Sequence, residues 1–179
     1  MNLTKEYNLA VAHQQEHVCS APPYEEYEKL FELAKITRAK RILEIGTGIG
    51  YTALVLAEAC PGALIDTIEK DPIHAELAQK YFHSHNLNNR ITVHNVIAEE
   101  FFLTLNEPYD LIFFDGYQIH YEFLPQYERL LKPNGLLILG NNHLSSKTSD
   151  QFFRELTGNG QWEVLEKFSD TTVARKIIS

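Results

Sequence analysis

Cysteine is scarce: only Cys19 and Cys60 occur in 179 residues. Two thiols cannot build a disulfide framework, and they point to a reducing compartment. Long apolar runs are missing too, and nothing approaches the roughly 20 residues needed to cross a membrane as a helix. The opening residues, MNLTKEYNLA, are too polar for a secretory signal. The expectation is a soluble, cytoplasmic protein with no membrane partner. Basic residues are outnumbered, 16 against 24 acidic, for a net charge of −8. That balance argues against tight, non-specific nucleic-acid binding, which depends on neutralising phosphates. Arg38, Lys40 and Arg41 are one local basic candidate. Repeats, low-complexity tracts and linkers are also absent, so residues 1–179 read as a single domain large enough to bury a core.

What the chain does have is a stretch around which the rest is organised, RILEIGTGIGYTALVLA from Arg41 to Ala57. Ile42, Leu43 and Ile45 read as a buried parallel strand. Gly46-Thr47-Gly48-Ile49-Gly50 breaks it, and Thr52 to Ala57 resume as a helix. Strand, glycine turn and helix in succession form a nucleotide-type binding turn, with unpaired N–H groups at the helix start. The spacing is G-x-G-x-G, and Tyr51 stands where a dinucleotide fingerprint wants its third glycine. Glu44 would set a carboxylate beside a pyrophosphate, which like-charge repulsion disfavours. The same carboxylate suits a ligand carrying an ammonium and a sulfonium, as S-adenosylmethionine does.

Before this turn, residues 1–20 carry weak periodicity and end near the breaker Ser20-Ala21-Pro22-Pro23; they are a candidate part of a substrate lid. His13-Gln14-Gln15-Glu16-His17 matches the H-x-x-E-H string of inverted zinc peptidases. With eight histidines in the chain and no evident glutamate ligand downstream, chance is the better reading. Tyr24 to Ile36 keeps helical spacing. Beyond the turn, Leu64 to Ile68 reads as a second strand ending in Glu69, 23 residues after Gly46. An acid at that place can hydrogen-bond a ribose diol. Asp71-Pro72 supplies an N-cap and a first-turn proline for a helix over Ile73 to His85. Ile91 to Val93 is a third strand, Val96 to Glu99 a loop, and Phe101 to Leu105 a short helix. Asp110 to Phe114 is a fourth strand, tipped by Asp115-Gly116-Tyr117-Gln118. Glu122 to Leu131 is helical, Lys132 to Gly135 a turn, and Leu136 to Leu139 a fifth strand tipped by Gly140-Asn141-Asn142-His143. After a helix around Phe152, Trp162 to Phe168 and Thr172 to Ile177 alternate as a hairpin. The rhythm predicts an α/β, Rossmann-like, doubly wound, mostly parallel seven-stranded sheet with a C-terminal antiparallel hairpin.

ILEIGTGIGYTALVLA, IEKDP, YDLIFFDGYQIHY and LLKPNGLLILGNN together resemble consecutive motifs of class I S-adenosylmethionine methyltransferases. The branch they are most similar to is the small catechol-O-methyltransferase-like group, which includes bacterial tRNA hydroxyuridine methyltransferases. The resemblance implies that Gly46 and Gly48 approach the methionine part of the cofactor and that Glu69 grips its ribose. Ala98 and Glu99 should border the adenine, with Tyr117 packed nearby. Thr47, Gly50 and Tyr51 of the turn, Lys70 beside Glu69, and Asp115 complete the expected cofactor-binding set. The family's divalent metal, Mg2+ for example, is held by Asp, Asp and Asn; the matching positions are Asp115, Asn141 and Asn142. A lysine base three residues after the first metal Asp is matched here by Gln118. One carboxylate has become an amide, and magnesium prefers anionic oxygens. Gln118 cannot accept a proton as lysine can when deprotonated. The expectation is an intact cofactor site with altered metal and base machinery, and with Asp115, Gln118, His120 and His143 as candidates around the reaction.

The leading reading is therefore a methyltransferase acting on a hydroxyl of a small molecule or modified nucleoside. An NAD-type oxidoreductase is opposed by Glu44 and Tyr51. A cofactor-binding protein without catalysis is favoured only by Gln118 and Asn141. Trp162, Phe101, Phe102 and the terminal strands could serve a homodimer surface as readily as a core.

Overall fold

The computed structural model describes residues 3–17, 23–142 and 146–177. In chain order the elements are α1 (Thr4–His17), α2 (Tyr27–Thr37), β1 (Arg41–Ile45), α3 (Tyr51–Ala59), β2 (Leu64–Glu69), α4 (Pro72–Ser84) and β3 (Ile91–Asn95). Then follow α5 (Ala98–Thr104), β4 (Tyr109–Phe114), a 3₁₀ turn at Tyr121–Phe123 running into α6 (Leu124–Leu130), β5 (Leu131–Leu139), α7 (Lys147–Gly158), β6 (Trp162–Phe168) and β7 (Thr171–Lys176).

The strands form one sheet in the order β3-β2-β1-β4-β5-β7-β6. β1 to β5 run parallel, and β7 inserts antiparallel to both β5 and β6. The strand order reverses between β1 and β4, and the carboxyl ends of those strands open a crevice at that point. Side chains alternate across the sheet, so Ile42 and Phe113 join one core with α1 to α4, while Leu43 and Phe114 join another with α5 to α7. Burial on both faces explains why β1 and β4 read as nearly continuous apolar runs.

Several boundaries differ from the sequence expectation, each for a local reason. β5 begins at Leu131, not Leu136, because the chain passes Lys132-Pro133-Asn134-Gly135 as an irregularity in the β4–β5 ladder, with Asn134 at φ 62°. β3 extends to Asn95, whose side chain donates to the Glu69 carbonyl at 2.8 Å. Ala98 and Glu99 lie in the first turn of α5, not in a loop. The weakly periodic start of the chain is helical and docks through Tyr7, whose ring stacks on Tyr27 at 5.6 Å and meets Tyr51 at 5.8 Å.

Trp162, Phe101 and Phe102 are buried within this chain, and the Trp162 indole donates to Glu128 at 3.2 Å. They fill the core. Arg41 likewise leaves the supposed basic patch: its guanidinium lies 4.7 Å from the Tyr109 ring and 3.6 Å from Asp66. Asp66 also accepts from the Tyr109 hydroxyl at 2.9 Å and pairs with His94 at 2.8 Å, tying β1 to β4 inside the sheet. Among the described residues no helix is long and apolar enough to cross a membrane.

Candidate active site

The turn after β1 is shaped by three glycines with different tasks. Gly46 has φ +101°, and a Cβ there would sit 2.6 Å from the Asp115 carbonyl oxygen, so the tips of β1 and β4 touch backbone to backbone. At Gly50 a Cβ would strike the Phe82 ring at 2.6 Å. Gly48, at φ +52°, faces open space, and it is the glycine beside which a ligand finds room. The Gly46 and Thr47 amides both donate to the Ile68 carbonyl, at 3.0 and 3.1 Å, locking the turn against β2.

Glu69 ends β2 beside this turn. One carboxylate oxygen accepts from the Gly48 amide at 2.8 Å and the other from the Asp71 amide at 2.9 Å. Asp71 then caps α4 through the Ile73 amide at 2.8 Å, with Pro72 in the first turn. The carboxylate is thus held rigidly between turn and helix, with lone pairs left over for a ligand.

The crevice encloses about 580 Å³, within the range that cofactor-sized ligands use. Gly46, Thr47, Gly48, Tyr51, Glu69, Lys70, Ala98, Glu99, Asp115, Tyr117, Gln118 and His120 all line it. Glu44, Gly50, Asn141 and Asn142 do not, and His143 falls outside the described residues. Ala10, His13 and Gln14 of α1 also line it, together with Pro23, Tyr24 and His74. The expectation for residues 1–20 covers Ala10, His13 and Gln14; Pro23, Tyr24 and His74 are the lining residues that sequence reasoning did not single out. The spacing of the His13–His17 string marks a shared helix face: the two rings stack at 4.4 Å, and His13 meets His74 at 5.0 Å. Among the described residues no group of three or more histidine, cysteine or acidic side chains is placed to hold a metal.

The O-methyltransferase family profile matches residues 4–151. The chain belongs to that family. It is 35% identical over 126 residues to the catechol O-methyltransferase of Niastella koreensis, covering 66% of this chain and 57% of that protein. It is 30% identical over 122 residues to a putative O-methyltransferase of a Mycobacterium species, covering 66% and 56%. The chain therefore spans little more than half the length of these curated relatives. Among solved structures, a putative O-methyltransferase from Klebsiella pneumoniae superposes with a TM-score of 0.81 at 22% identity, covering 96% of this chain and 90% of that one. An O-methyltransferase from Bacillus cereus in complex with SAH gives 0.79 at 22% identity, covering 97% and 90%. These similarities establish the Rossmann-like methyltransferase fold.

Within that family frame, the divalent cation that the resemblance implies does not fit the residues present. The Asn141 side chain turns its amide nitrogen to the Asp115 carboxylate and to the Gly116 carbonyl, both at 3.1 Å. An N–H donor stands where a cation needs a lone pair. Asn142 donates to the Thr172 hydroxyl at 2.8 Å, and its side-chain oxygen has no partner among the described residues. Gln118 has no proton-accepting group of useful basicity. His120, packed at 5.5 Å from the Phe123 ring, is the imidazole that the crevice offers on this side.

Glu44 lies beneath the crevice floor, fully buried. The Thr67 hydroxyl donates to it and in turn accepts from Thr47 at 2.6 Å, so the carboxyl acts on the crevice through this relay and through its field. Its other oxygen has no partner among the described residues. Burial pushes its pKa up to about 7, against the pull of the Thr67 and Thr52 hydroxyls. Asp115 is raised well above the ordinary carboxylate range, first by burial and then by Glu44, with Asn141 opposing. A raised acid pKa means that the folded state holds a proton the unfolded chain has released. Stability from Glu44 is therefore greatest below pH 4.5 and is lost as pH rises to about 7. The shift corresponds to about 3 kcal/mol. Glu44→Gln should remove most of this decline, and urea unfolding of the ligand-free protein at pH 5 and pH 8 checks it. An equal decline in both proteins would refute the assignment.

Proposed function

We propose that this protein binds S-adenosylmethionine in the crevice and transfers the methyl group to a hydroxyl of a small molecule or modified nucleoside. The observation that carries the reading is the Glu69 carboxylate, fixed to the Gly48 amide and facing the crevice at the tip of β2. The cofactor supplies an already activated methyl on a sulfonium, so alignment carries much of the catalysis. Glu69 accepts the two ribose hydroxyls, Gly48 leaves room for the methionine part, and Ala98, Glu99 and Tyr117 border the adenine. Ala10, His13 and Gln14 act as a lid that excludes water. Asp115 and His120 are the groups able to take the acceptor's proton, and Gln118 orients the acceptor by hydrogen bonding alone. With the cofactor bound, Asp115 or His120 would take the proton that the acceptor hydroxyl gives up on receiving the methyl group.

Calorimetric titration with S-adenosylmethionine tests the first half, with one-site micromolar binding expected. Release of labelled methyl onto vicinal diols and hydroxylated nucleosides tests the second. Absence of cofactor binding overturns the reading; binding without transfer to any hydroxylated acceptor turns it toward a cofactor-binding protein without catalysis.

A further inference from the structure

We propose that the Asp115–Asn141 pair replaces the divalent cation implied by the resemblance, so that this crevice works without one. The inference rests on the function proposed above but concerns a separate feature of the site. Asn141 follows Gly140 at the tip of β5 with φ 57°, a left-handed conformation that asparagine adopts more readily than most residues. There its amide nitrogen reaches two oxygens on the neighbouring tip, the Asp115 carboxylate and the Gly116 carbonyl. The Gly116 carbonyl can only accept, so it determines the amide orientation: turning the amide over would set oxygen against oxygen there. The two N–H groups thus join the tips of β4 and β5, already paired through Gly140 and the Phe114 carbonyl at 2.8 Å.

A cation bridging the same tips would draw on carboxylates, and magnesium sites are built around anionic oxygens. Among the described residues at these tips, Asp115 is the one carboxylate. Glu44 lies below the floor and is engaged by Thr67. Asn142 is turned toward β7, with its amide on Thr172 and its backbone N–H on the Asp170 carbonyl at 2.9 Å. A cation entering would have to displace both Asn141 hydrogen bonds and would gain a single negative ligand. The amide does the cation's positional work, with no exchangeable ion.

The test measures Mn2+ binding by electron paramagnetic resonance and calorimetry on wild type, Asn141→Asp and Asp115→Asn, each alone and with S-adenosylhomocysteine. Wild type is expected to show no one-site Mn2+ binding below millimolar concentration. Asn141→Asp keeps the left-handed backbone but loses both donors and sets two carboxylates together. It is expected to melt at lower temperature without cation, to recover with Mn2+, and to bind one ion at least tenfold more tightly than wild type. One-site Mn2+ binding to wild type that Asp115→Asn abolishes overturns the proposal, and so does a folded Asn141→Asp that gains no binding. If Asn141→Asp does not fold, the wild-type and Asp115→Asn titrations decide alone. Failure of S-adenosylhomocysteine to bind is read in a separate titration and counts against the proposed function, while the metal result on the protein alone stands.

Discussion

Glu69→Ala should weaken S-adenosylmethionine binding by about a hundredfold or more, the largest loss expected from any single side chain in the crevice. A hydrogen bond to a charged group contributes roughly 1.5–3 kcal/mol, and a ribose diol offers two. Two such bonds at the lower limit already correspond to about a hundredfold. The substitution also strips the Gly48 and Asp71 amides of their acceptor, loosening the glycine turn that shapes the rest of the site. Glu69→Gln separates the two contributions. It retains one acceptor oxygen and loses the charge, so an intermediate loss of about tenfold is expected. Calorimetry on both variants, with urea unfolding as the control for integrity, makes the comparison. A dissociation constant within threefold of wild type for a folded Glu69→Ala would remove Glu69 from the cofactor site, and with it the observation on which the functional reading stands.

Much of that reading is legible in the sequence alone, because the relevant signals are local and chemical. A run such as ILEI followed by alternating glycines has few alternatives to a strand and tight turn. Asp71-Pro72 announces a helix start through donors and geometry built into those two residues. Other features depend on partners distant in sequence. Three alternating glycines suggest a cradle for a ligand, yet Gly46 and Gly50 are required by Asp115 and Phe82, and of the three only Gly48 faces open space. Glu44 was expected to meet the ligand, whereas the Thr47–Thr67 relay separates it from the crevice. The amide at 141 was legible as a missing carboxylate; that its nitrogen faces Asp115 required the relation between two strand tips. The start of β5 was obscured because Pro133 and Asn134 carry strong turn signals, while neighbouring β4 holds the chain in the sheet.

The distinction among the glycines has a consequence for stability that is larger than its effect on binding. Gly46→Ala should destabilise the protein by roughly 2–6 kcal/mol, from strain of about 1–3 kcal/mol at an unfavourable φ and a similar cost for overpacking. The added methyl would lie 2.6 Å from the Asp115 oxygen, 2.8 Å from its carbonyl carbon and 3.1 Å from the Gly116 nitrogen. All three are backbone atoms, so no rotamer change relieves the contact. The tips of β1 and β4 must part instead, and the Asp115 amide donates to the Ile45 carbonyl at 2.8 Å across that junction. Gly48→Ala is the control. Its φ of +52° lies where alanine sits at a cost of about 1–2 kcal/mol, and its Cβ meets nothing within 4 Å. Gly48→Ala should therefore lose only about 1–2 kcal/mol but weaken cofactor binding, because its methyl occupies space beside the crevice. Gly46→Ala should lose much of its stability whether or not ligand is present. Urea unfolding of both variants measures the difference. Equal losses would mean that the turn, and not the approach of β4, sets the need for glycine at 46, and the crevice would then owe its shape to β1 and β2 alone.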